Sequence, residues 1–88
     1  MANIRNLKKD INYVLGDIIE AVYVWETANP DKNVIDSEVI IDEAIGTFDS
    51  LIEKVNAKNI GSPKTHFKAI VSELETKSST LIEKLNKL

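Results

Sequence analysis

Four carboxylates, Glu38, Asp42, Asp49 and Glu53, follow one another at intervals of four, seven and four residues. On a helix that spacing gathers them on one narrow stripe, because each residue turns the chain by about 100°. Clustered carboxylates can hold a hard cation. These four would spread over about four turns, with no loop between them to wrap an ion. Two other uses remain. The stripe could dock a basic partner, or it could be a solvated flank that pairs with lysines such as Lys64 and Lys68. The solvated flank is the simpler reading.

The single histidine, His66, lies in "PKTHFKAI" and reads as a surface residue among lysines. Helical phosphotransfer bundles follow their histidine with Lys at the third position and Gly at the fourth. Here those positions hold Ala69 and Ile70. Trp25-Glu26-Thr27 likewise lacks the glycine of the Trp-x-Gly turn found in small secreted helical hairpins. The sequence holds no Ser-His-Asp set and no glycine-rich phosphate loop. Asp17 and Glu20 point away from the apolar seam, which speaks against a metal site inside a bundle. The expectation is a protein that is not an enzyme, with no catalytic, cofactor-binding or metal-ligating residue assigned.

Composition narrows the class further. The chain has 88 residues, a net charge of −3 and no cysteine. Disulfides and thiolate metal sites are therefore excluded. Residues 1–30 carry three basic and four acidic groups, residues 31–61 three and seven, and residues 62–88 five and three. The basic last third offsets the acidic middle. Nucleic-acid binding would gather more basic charge with exposed aromatics than Arg5, Lys8 and Lys9 supply, so a nucleic-acid partner is not expected. No apolar run reaches the ~18 residues of a membrane span. "MANIRNLKKD" lacks the apolar stretch of a secretory signal. A cytoplasmic protein without membrane attachment is expected.

The elements that would carry these side chains follow from apolar spacing. Ile4, Leu7, Ile11, Val14, Ile18, Ala21, Trp25 and Ala28 alternate at three and four residues, a helical seam that Leu15 and Val22 widen. Asn3 can cap its start, and Pro30 ends it. A second seam runs through Ile41, Ala44, Phe48, Leu51 and Val55, with Asp36 or Ser37 as cap. A third holds Phe67, Ile70, Val71, Leu74, Leu81, Ile82, Leu85 and Leu88. Ser62-Pro63 opens it, with serine as cap and proline in the first helical position. Ser78 interrupts that face with a small polar side chain. It either gives room to a ring of helix 1, the favoured account, or leaves a groove. The spacing thus predicts an all-α, up-down-up three-helix bundle, with helices at about 4–28, 37–57 and 63–87 in one domain over 1–88. The alternative is an α+β fold. "AVYVW" is rich in strand formers and could pair with "NVIDSEVII" as a hairpin near 20–41.

One surplus remains. From Ile18 to Trp25 only Glu20 is not apolar, and Ile19, Tyr23 and Val24 fall outside the core stripe. Asn12, Gly16, Ile19 and Tyr23 repeat at four, three and four residues as a second seam. Glycine inside a helix costs roughly 1 kcal/mol relative to alanine, and at Gly16 it would let another backbone come close. This flank, with Val24 contributing, is the candidate interface. It predicts a homodimer, or alternatively an adaptor or regulatory subunit that binds a different protein. A compact chain of this mass would expose about 5,200 Å².

Overall fold

A computed structural model describes residues 4–58 and 61–88. It contains three helices, α1 (Ile4–Ala28), α2 (Ile35–Val55) and α3 (Pro63–Asn86), and no strand among the described residues. All three pack on one another, most extensively α1 on α2. The up-down-up bundle is therefore the fold, and the hairpin alternative near 20–41 is overturned. "NVIDSEVII" is helical from Ile35 onward because Ile40, Ile41 and Ala44 reach the core only at helical spacing, and all three are buried. "AVYVW" stays inside α1, with Val22 fully buried.

The helix ends follow local chemistry. At the end of α1, the Asn29 side chain donates to the Trp25 carbonyl at 2.9 Å, just before Pro30 stops the helix. The expected cap of α1, Asn3, lies outside the described residues. α2 begins two residues earlier than its spacing suggests. Asn33 Oδ1 accepts the N–H of Ile35 at 2.9 Å, so neither Asp36 nor Ser37 serves as cap. α3 begins as expected. Ser62 Oγ accepts the N–H of Thr65 at 3.4 Å, and Pro63 takes the first helical position.

The core comes from all three helices. Leu7, Ile11, Leu15, Ile18 and Val22 face Ile41, Ala44, Leu51 and Val55, with Ile70, Leu74 and Leu81 closing the third side. Burial of these side chains is the main stabilising term, at about 1.5–3 kcal/mol for each leucine, isoleucine or valine. Ser78 is buried, and its hydroxyl donates to the Glu75 carbonyl of its own helix at 3.1 Å. It stands level with the turn of α2 that carries the half-buried Phe48.

The register of the elements is explicit. Eleven residues up α2, from Glu43 to Lys54, match eleven residues down α3, from Lys84 to Glu73, through two ion pairs. Between α1 and α2, Glu26 and Ser37 are hydrogen-bonded. Counted back from that contact at equal rise along two antiparallel helices, Val22 is level with Ile41, and Ile18, Ile11 and Leu7 fall within one residue of the levels of Ala44, Leu51 and Val55. This stagger leaves each end of the bundle formed by fewer than three helices, and the molecule is 50 × 17 × 17 Å. Its Cα radius of gyration is 14.7 Å, against about 12 Å for a compact chain of this length. The accessible surface is 6168 Å², about 1,000 Å² more than mass scaling gives.

Candidate functional site

Glu26 marks which flank of α1 meets α2. Its carboxylate lies 2.5 Å from Ser37 Oγ, which is also 2.9 Å from the Val34 carbonyl. The single hydroxyl proton is shared between two acceptors, and Ser37 is fully buried. Ile19, seven residues before Glu26, lies on that same flank and is half-buried against the core. Asn12, Gly16 and Tyr23 lie within about 60° of Ile19 around the helix and are exposed. A Cβ added at Gly16 would meet nothing within 4 Å. Tyr23 is 53% and Val24 63% exposed. Val24 is turned about 100° from Tyr23, so it stands apart from the other four. Tyr23 and Val24 also border a shallow depression with Glu20, Thr27 and Ala28.

On α2 the flank toward α3 is fixed by the ion pairs Lys54–Glu73 and Glu43–Lys84, both at 2.6 Å. Glu38, Asp42, Asp49 and Glu53 lie on the opposite side of the core stripe, next to α1, and all four are exposed. Pairing of this stripe with Lys64 and Lys68 is therefore corrected. The stripe turns away from α3, and the carboxylate that meets α3 is Glu43. The fold thus brings two separate sequence features onto one surface. The outer face of the α1–α2 hairpin carries Asn12, Gly16, Ile19 and Tyr23 along one edge and the acidic stripe along the other. Ile45, 47% exposed, lies between them.

The sequence reading missed two features. A groove of about 520 Å³ runs between α2 and α3. Gly46, Thr47, Ser50, Thr76 and Thr80 line it, Leu51 and Leu81 form its floor, and the two ion pairs bracket it. Small residues at helical spacing on both helices were its signal. His66 is half-buried rather than a free surface residue. Its Nε2 lies 2.6 Å from the Lys54 carbonyl, and because a carbonyl only accepts, Nε2 is the donor. It thereby adds a second donor to a carbonyl in the last turn of α2, which also accepts the Ala57 N–H at 3.2 Å.

Among the described residues no group of three or more His, Asp or Glu side chains is placed to hold a metal ion. Every buried side-chain nitrogen or oxygen among them has a hydrogen-bond partner. No helix is long and apolar enough to cross a membrane. A scan against protein-family models, a search of curated proteins and a search of solved structures each found no match to this chain.

Proposed function

We propose that this protein works by association with another chain, most simply as a homodimer formed through the outer face of the α1–α2 hairpin. The observation that carries this reading is the apolar surface left on that face, where Tyr23 and Ile45 are about half exposed, and the total surface leaves room for it. The bundle exposes 6168 Å², about 1,000 Å² beyond a compact chain of its mass, and a stable interface needs about 800 Å² from each partner. The same face presents half-buried Ile19 with exposed Tyr23 and Ile45, and a glycine whose missing side chain leaves open space. Binding rather than catalysis is the role these features support.

The test is mass in solution by light scattering after size exclusion, across a range of concentrations, for the wild type and Tyr23→Glu. Tyr23 lies outside the core, so the variant keeps the fold. A wild-type dimer that becomes monomeric in Tyr23→Glu supports the reading. A wild type that is monomeric at every concentration sinks self-association and redirects the search to a foreign protein partner.

A further inference from the structure

The charges on this face are arranged in a way that selects one packing of two copies over another. Along α1 the outward polar groups of this face are the donors Lys9, Asn12 and the Tyr23 hydroxyl, with one carboxylate, Glu20, at the rim beside Tyr23. Along α2 they are acceptors: Glu38, Asp42, Asp49 and Glu53. None of these side chains has a hydrogen-bond or ion-pair partner among the described residues. The carboxylates and ammonium groups between α2 and α3, by contrast, are paired.

Two copies can stack this face with two-fold symmetry in two simple ways. With the axis across the helices, α1 covers the partner's α1 and α2 covers the partner's α2. Acidic stripe then meets acidic stripe, and like charges brought together oppose that packing. With the axis along the helices, α1 covers the partner's α2 instead. Rotation about that axis leaves every residue at its own height, so the core register tells which residues meet. Lys9 is about as high as Glu53, Asn12 as Asp49, Gly16 and Ile19 as Ile45, and Tyr23 as Asp42 and Glu38. Each donor therefore meets an acceptor and the apolar groups meet at the centre, while Glu20 alone stands against a like charge, the partner's Asp42, at the solvent-screened rim.

We infer that two copies pair with the two-fold axis parallel to the bundle, α1 of each on α2 of the other, with Lys9 against the partner's Glu53. This arrangement rests on the self-association proposed above. In it the four central helices form a square in which every neighbouring pair runs antiparallel, which also sets helix dipoles favourably.

Charge exchange and cross-linking test it. Lys9→Glu and Glu53→Lys change exposed residues outside the core. Each alone should raise the dimer dissociation constant about tenfold, because each sets like charges together at two symmetric places. The double variant Lys9→Glu with Glu53→Lys should return within about threefold of wild type. The chain has no cysteine, so introduced thiols report unambiguously. Mixed Asn12→Cys and Asp49→Cys chains should form a disulfide between copies, and Gly16→Cys alone should not. A wild-type dimer that links Gly16→Cys to itself and shows no rescue in the double variant overturns this arrangement while self-association stands. A monomeric wild type overturns both.

Discussion

Ser37 holds its place by hydrogen bonds rather than by hydrophobicity. It is fully buried between the start of α2 and the end of α1, where a carboxylate and a carbonyl share its proton. Ser37→Ala should lower stability by about 2 kcal/mol, the range for a bond to a charged acceptor, read from the midpoint of urea unfolding. His66→Ala should cost at most about 1 kcal/mol, because it removes one of the two donors to the Lys54 carbonyl and leaves the Ala57 N–H in place. His66→Gln, which can still donate there, should recover part of it in the same experiment. These roles were hard to read from the sequence. A serine beside a helix start suggests a cap, and only the position of Asn33, which accepts the Ile35 N–H, turns Ser37 inward. A lone histidine among lysines suggests the surface, and nothing local announces that the last turn of α2 lies within its reach.

Helix existence and burial were far more legible than helix ends or flanks. Apolar spacing placed all three elements, because a helix that faces a core must repeat its apolar residues every three or four positions. The flank of α2 that meets α3 was not legible. Spacing shows that Glu38 and Asp42 lie together, but their side relative to a third helix depends on how that helix packs. The two helix-interior glycines make a matched pair at this scale. Gly16 and Gly46 both leave open space where a Cβ would stand, so alanine at either should stabilise the isolated bundle by about 1 kcal/mol. Only Gly16 lies on the proposed interface. Gly16→Ala should therefore weaken association while Gly46→Ala leaves it unchanged, as titrated by light scattering beside urea unfolding of each variant at low concentration.

As a whole the molecule is a rod, 50 Å long and 17 Å across, and its surplus surface follows from the stagger of its helices. Side-by-side pairing along the α1–α2 face widens the rod and does not lengthen it. Small-angle scattering of the dimer should therefore keep a largest dimension close to the monomer's, whereas end-to-end pairing would nearly double it. The stagger was beyond the sequence, because seam spacing fixes which residues face inward and not how far one helix slides along the next. The short connection 56–62 already sends α3 antiparallel to α2, and the ion pairs agree with that direction. The ion pairs between α2 and α3 have opposite polarity: Glu43 faces Lys84, and Lys54 faces Glu73. Turned end for end, α3 would set Glu43 before Glu73 and Lys54 before Lys84. Each pair is solvent-exposed and worth only about 0–1 kcal/mol as an attraction, yet the reversed chain would exchange both attractions for repulsions. The four charges thus act as a compass that agrees with the road the connection lays down. Reversing the two on α3 alone would set the needle against that road, and reversing all four would bring it back.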